Sequence, residues 1–247
     1  MSEALDALNR RLRTAGELKS VVRTMKTLAA VSIVPYERAV RSLADYYRTV
    51  ELGLMACLAN IGIPANDHDK SRTAESTGVV VFGSDQGMAG QFNDVLADCV
   101  LSELVPLPGK KLVWPIGERI AWRLSAPGVK LAPIRAIPES VAAITPLIAA
   151  ILDSIQQHRQ NQSVTRVLVF HNQPLSSKGY RPARQQLLPF DREWLGQVAR
   201  RKWPTKMIPQ VMPVETETLE AFLRDYVETT GGVWDATSNF AGLPCPR

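Results

Sequence analysis

The chain has few of the residues that usually carry chemistry. Of its 247 residues three are cysteine, three are histidine, and aromatics make up only 6%. Cys57, Cys99 and Cys245 are odd in number, far apart and never in a CxxC pair, which excludes a disulfide framework or a zinc knuckle. They read as small buried hydrophobes or bystanders. His68, His158 and His171 stand alone, without HxxxH spacing, so no metal site or catalytic triad is indicated. Only His171, at the end of a predicted strand, is placed where a site could lie. Long hydrophobic runs are missing as well. The longest, residues 52–63 and 141–152, fall well short of the ~20 residues a membrane-spanning helix needs. Arg10, Arg11 and Arg13 interrupt the leading leucines, so no signal-peptide core forms and the chain is expected in the cytosol.

What is present describes a globular protein: 45% hydrophobic, 21% charged, and long enough for one or two domains. The net charge is +5, and one segment carries the excess. Between Arg10 and Lys26 lie Arg10, Arg11, Arg13, Lys19, Arg23 and Lys26 against a single anion, Glu17. Such a stripe suits nucleic acid, acidic lipid or an acidic protein surface.

The same segment belongs to an unusually extended apolar pattern: Leu5, Leu8, Leu12, Ala15, Leu18, Val22, Met25, Ala29, Ser32, Tyr36, Ala39, Leu43, Tyr46, Val50 and Leu54. Spacings of three and four residues, close to 3.5 on average, mark a helix with a narrow seam facing another helix. A helix over residues 2–60 would be roughly 85 to 90 Å long at about 1.5 Å per residue, so it must project beyond its own domain. Pro35 predicts a bend near residues 31–35, because an interior proline costs about 3 kcal/mol. Gly62 and Pro64 supply the stop.

Residues 65–76 are polar and read as a linker. Beyond them the pattern alternates between short β-branched runs and helical periods. Strands are predicted at 78–82, 111–116, 131–134 and 165–171, and helices at 94–104, 118–124 and 138–157, the last bent at Pro146. Residues 184–188 read as an edge strand. The fold class is therefore α/β: a long coiled-coil-type N-terminal helix (1–63) plus a Rossmann-like domain with a mostly parallel sheet (77–190). A connection and the start of a C-terminal helix follow at 191–227. Residues 228–247, rich in glycine and proline and without period, read as a disordered tail.

The loop from Gly83 through Ser84, Asp85, Gly87, Gly90 and Phe92 to Asn93 joins a strand to a helix, where α/β proteins often cradle phosphate. It lacks the Gly-Lys-Ser/Thr of a P-loop and is not GxGxxG. The plainer reading is structural: glycines permit a sharp turn while Asp85 and Asn93 bond backbone amides. A nucleotide- or phosphate-binding α/β enzyme using residues 84–93 is the alternative. A nucleic-acid reader on the basic helix is a further rival, although its cations are sparser than in a basic-zipper region.

Three stretches together resemble one family. Residues 11–32, RLRTAGELKSVVRTMKTLAAVS, are similar to the N-terminal helix of the gamma subunit of F-type ATP synthases, which reads as RI, a spacer, ITKAM and a small apolar run. FGSDQGMAGQFN at 82–93 resembles that family's SDRGLCGGFN signature, and residues 166–189 (VLVFHN, then LLP) resemble its later strand and extended segment. The resemblance covers residues 1 to about 226. TMKTLAAVSIVPYE is closer to the alternate, often sodium-linked, lineage.

The resemblance implies a non-catalytic central-stalk rotor. In the family the N-terminal helix pairs with a long C-terminal helix inside a hexamer of alpha and beta subunits, the α/β domain touches the epsilon subunit and the membrane ring of c subunits, and catalysis occurs on beta. By this match Met25 and Lys26 lie near acidic loops of beta with Arg23 close by, and Arg10, Arg13, Arg23 and Lys26 are expected as docking charges. No cofactor, no metal, no nucleic acid and no membrane span of its own are implied, and the place of action is the cytoplasmic face of the membrane. The sequence departs from the family at 228–247, ETTGGVWDATSNFAGLPCPR, where the partner helix is expected. That departure suggests truncation or a frameshift.

Overall fold

The computed structural model describes residues 2–61, 76–85, 89–161, 163–175, 179–190, 192–207, 209, 221–227 and 229–231. Helix α1 (Ser2–Ile61) is 60 residues long and runs without a break through Pro35. Strand β1 (Thr77–Phe82), helix α2 (Phe92–Leu104), strand β2 (Lys111–Ile116) and helix α3 (Glu118–Arg123) follow. The rest comprises β3 (Val129–Leu131), α4 (Ile144–Gln160), β4 (Arg166–Pro174), β5 (Tyr180–Leu188), α5 (Arg192–Arg200) and a last helical segment at 221–227 and 229–231.

The five strands form one sheet in the order β3-β2-β1-β4-β5, parallel except for the antiparallel β4–β5 pair. Every residue of β1 is buried, as its unbroken apolar run requires of a central parallel strand. The period-two alternation divides its side chains between two layers. Val79 and Val81 meet Leu96, Val100 and Leu104 of α2, with Ile120 and Leu124 beside them. Val80 and Phe82 face Ile144, Ile148, Ile151 and Ile155, the buried stripe of α4. Each such side chain contributes about 1.5–3 kcal/mol by leaving water, so helices on both faces hold β1 firmly. Val50, with Tyr36, Val40 and Tyr47 of α1, joins the α4 layer. A third cluster closes the foot of α1, where Leu54, Cys57 and Leu58 pack on Leu195 and Val198 of α5.

The α/β class with a long first helix and a mostly parallel sheet is as expected; several details differ. Pro146 does not bend a helix begun at 138. A 3-10 turn at Val141–Ala143 precedes α4, and Pro146 lies in its first turn, where a missing N–H leaves no internal bond unmade. The third strand is Val129–Leu131 rather than 131–134, because Pro133 cannot donate to a ladder; pairing resumes only as a single bridge between Ile116 and Arg135. The edge strand is longer than expected, Tyr180–Leu188. Ser76 is no linker residue: it is buried, and its carbonyl accepts from the N–H groups of Thr165 and Arg166. Helix α5 was not foreseen within the connection. Residues 229–231 are helical, with Thr229 and Thr230 buried, so the expected tail does not begin at 228. Residues 232–247 and 65–75 lie outside the described residues.

Candidate functional site

Two parts of the molecule were singled out by sequence, the basic seamed helix and the glycine loop. On α1, Leu5, Leu8, Leu12, Leu18, Val22 and Met25 are all exposed, Leu12 by 63% and Leu18 by 60%. Val21 and Leu28, seven residues apart and also exposed, widen the apolar stripe beyond the expected seam; their heptad spacing was the available signal. Val31, at 68%, and Val34 are open as well. An apolar surface of this extent on a helix is covered in a working assembly.

Among the charges, Arg10, Arg13 and Arg23 are exposed and Lys26 is half-buried. Arg13 Nε lies 3.4 Å from Glu17 Oε1, an i,i+4 pair in open solvent that contributes little of its own. These cations therefore remain available to a partner along the same rod as the apolar stripe.

The loop is organised inward. The Ser84 N–H donates to Asn93 Oδ1 at 2.9 Å, and Asn93 Nδ2 donates back to the Ser84 carbonyl at 2.6 Å, so one amide side chain closes both ends of the turn. Arg119 N–H donates to Asp85 Oδ1 at 3.2 Å, and Asn172 Nδ2 donates to the Phe92 carbonyl at 3.0 Å. Phe92 itself is fully buried and meets the Tyr180 ring edge-on with centroids 4.8 Å apart. Gly90 has φ +64°, a conformation glycine adopts without penalty. A Cβ on Gly83 would come within 2.5 Å of Ile120, so glycine there lets β1 approach α3. Gly87 lies outside the described residues. Asn93 bonds the turn's own backbone and Asp85 bonds α3, which fits the structural reading of the described part of the loop.

The two described histidines have separate surroundings. His158 Nδ1 is 2.8 Å from the Ser154 carbonyl, and its ring meets Trp114 edge-on at 5.5 Å. Burial holds the pKa of His171 below its ordinary value. His68 lies outside the described residues. Sequence reasoning missed the aromatic cluster beside the foot: Tyr47 Oη donates to Tyr226 Oη at 2.8 Å, and the Tyr226 ring is 4.6 Å from that of Trp194. Residues this far apart in sequence show no local pattern that would announce their meeting.

A sequence-family model described as ATP synthase matches residues 4–231. The chain belongs to the ATP synthase gamma-chain family. The ATP synthase gamma chain of Thermobifida fusca (strain YX) is 28% identical over 125 residues, covering 48% of this chain and 40% of that relative. The aligned part is thus less than half the relative's length. The fold of this gamma-family chain is similar to one in a Tetrahymena thermophila mitochondrial ATP synthase central stalk and c-ring structure. There the TM-score is 0.61 at 18% identity, covering 90% of this chain and 94% of that one. A chain of the Euglena gracilis mitochondrial ATP synthase rotor is more distant, with a TM-score of 0.48 at 13% identity over 94% and 87% of the two chains. Among the described residues no helix is long and apolar enough to cross a membrane.

Proposed function

We propose that this chain is a central-stalk rotor subunit of an ATP synthase, coupling ion flow through a membrane ring to ATP synthesis or hydrolysis on neighbouring subunits. The observation that carries this reading is the division of α1. Its foot is clamped, with Leu54, Cys57 and Leu58 buried on α5, while the leucine and valine side chains between residues 5 and 34 are exposed. A shaft has this form, since torque applied to the globule reaches the tip only if the lower end is held rigidly.

In this reading the c-ring turns the α/β domain, with the epsilon subunit beside it. The tip turns within alternating alpha and beta subunits and drives the beta sites through their states. The apolar stripe seats the helix against other polypeptide. Arg10, Arg13, Arg23 and Lys26, with Met25 between them, meet acidic loops of the head; each exposed ion pair is worth only about 0.2–1 kcal/mol, weak enough to break at every step. The chain acts at the cytoplasmic face of the membrane as a peripheral part of the complex and performs no chemistry itself. Coexpression with alpha and beta subunits tests the assignment: a stable complex that retains this chain through gel filtration is expected. Failure of the full chain to copurify with them would overturn it. The nucleotide-enzyme alternative predicts heat on calorimetric titration with nucleotides, and the rotor reading predicts none.

A further inference from the structure

At the foot, α5 ends in a short turn with a composition unlike the rest of the surface. Arg200, Arg201, Lys202 and Lys206 fall within seven residues that contain no acid, and all four are exposed. Arg201 Nη1 is held 2.5 Å from Glu51 Oε2 of α1, which ties the turn to the shaft's base. The remaining three cations have no counter-ion at salt-bridge distance among the described residues.

The turn is built rather than loose. Trp203 Nε1 donates to Thr205 Oγ1 at 3.0 Å, and Thr205 Oγ1 donates to the Met207 carbonyl at 3.0 Å. Trp203 is half-buried and packs with the foot cluster, so its ring is anchored inward. The relay leaves Met207 projecting with 84% of its surface exposed, the most open of the large apolar side chains described, and Lys206 is its neighbour. The result is an apolar tip flanked by ammonium and guanidinium groups on a rigid base.

We propose that the turn at 200–207 docks on an anionic lipid surface, with Lys202, Lys206 and Arg200 at the phosphate headgroups and Met207 dipping into the interfacial layer. Basic side chains near an anionic leaflet attract it through its surface potential, and one exposed apolar side chain adds burial that a purely ionic contact lacks. A nucleic-acid partner is less suited. It would use a free aromatic face for stacking, and the Trp203 ring is committed to the foot. The turn lies at the clamped end of α1, away from the exposed rod. The inference does not rest on the rotor reading, because its test involves no other subunit.

The test is co-sedimentation of the full chain with vesicles of pure phosphatidylcholine, or with phosphatidylglycerol mixed in. Binding only to the anionic vesicles is expected. The double variant Lys202→Gln/Lys206→Gln should weaken it about thirtyfold, which is ~2 kcal/mol at ~1.4 kcal/mol per tenfold, or ~1 kcal/mol for each charge. Met207→Ser should weaken it a further few-fold. The α1 stripe is the competing basic surface, and Arg10→Gln/Arg11→Gln/Arg13→Gln should weaken vesicle binding less than the turn variant does. Far-UV circular dichroism checks that all variants fold. The proposal is overturned if the wild-type chain ignores anionic vesicles, or if the stripe variant abolishes binding while the turn variant does not. Loss of duplex DNA binding in parallel with vesicle binding, with no effect of Met207→Ser on either, would overturn it too, since the turn would then be a general polyanion patch.

Discussion

The two halves of α1 use the same alphabet to opposite ends. Leucine, valine and methionine, with alanine and tyrosine between them, keep a spacing of mostly three and four residues from residue 5 to residue 54. Yet Leu12 is 63% exposed, whereas Leu54 is completely buried. Periodicity fixes which face of a helix is apolar; whether that face is covered depends on what the rest of the chain brings to it. At the foot the cover is α5 with Phe222 and Leu223, and over residues 36–50 it is the α4 layer. Toward the N-terminus, by contrast, Leu5, Leu8, Leu12, Leu18 and Val22 stay exposed. The contrast separates side chains that hold the fold from side chains kept for another molecule.

The sharpest way to break the contrast is to truncate one leucine in each half. Leu54→Ala removes a fully buried side chain from the foot cluster and should destabilise the chain by about 2–5 kcal/mol, as cavities in cores do. Leu12→Ala should change the isolated chain by less than about 0.5 kcal/mol, since its side chain makes no core contact. Urea denaturation midpoints of the two variants measure the difference. If both lose equal stability, the rod is folded against something within its own chain, and the shaft interpretation fails with it.

The glycine loop invites a second, smaller test. Asn93→Ala removes the amide that serves both the N–H and the carbonyl of the buried Ser84, so both bonds are lost at a buried turn. A loss of about 1–3 kcal/mol follows, again read from the urea midpoint. Nucleotides or phosphate should not shift that midpoint in the wild-type chain. A shift growing with ligand concentration would show that the loop binds what its hydrogen bonds argue against.

Which of these features could be read in advance depends on how local their causes are. The α1 pattern and the all-apolar β1 declare themselves within a few residues, and the Asn93 closure of the loop was foreseeable because Asn bonds nearby backbone. Helix α5 was missed because its apolar positions, Trp194, Leu195 and Val198, span a little over one turn, too short for a period to emerge. Pro146 was misread because proline signals a helix start as readily as a bend, and the neighbouring residues do not separate the two. The foot itself was illegible. It joins residues near 50, 195 and 222, and only the three-dimensional packing reveals that the lower shaft is held while the upper is free.

The tyrosine pair beside the foot gives the comparison a pH dependence. Burial raises the pKa of both Tyr47 and Tyr226 above the ordinary phenol value. A folded-state pKa above the unfolded one means that the native state keeps protons which the unfolded chain releases. The stabilisation is therefore complete below about pH 10, the unfolded phenol pKa, and is lost progressively as pH rises through the folded values. Stability of the wild-type chain should fall as pH rises above about 10. Tyr47→Phe should cost about 1 kcal/mol at neutral pH through the lost 2.8 Å bond and should flatten that fall. Urea midpoints across the alkaline range check both points, and a variant as pH-sensitive as the parent would place the titration elsewhere.

The smallest effect belongs to the rod's charges and distinguishes intrinsic stability from docking. Arg13 and Glu17 are 85% and 67% exposed at their side chains, so Glu17→Gln should leave the unfolding midpoint of the isolated chain nearly unchanged. The same substitution frees Arg13 for a partner. If the cations on the rod meet acidic loops of the head, Glu17→Gln should tighten binding to an alpha–beta assembly slightly at low salt. Arg13→Gln should weaken it by a few-fold, and both differences should shrink as ionic strength rises and the Debye length contracts toward about 3 Å at 1 M. Titration of the two variants against the assembly at low and high salt measures this. Equal affinities at low salt would remove Arg13 from the interface and leave the apolar stripe to seat the rod alone.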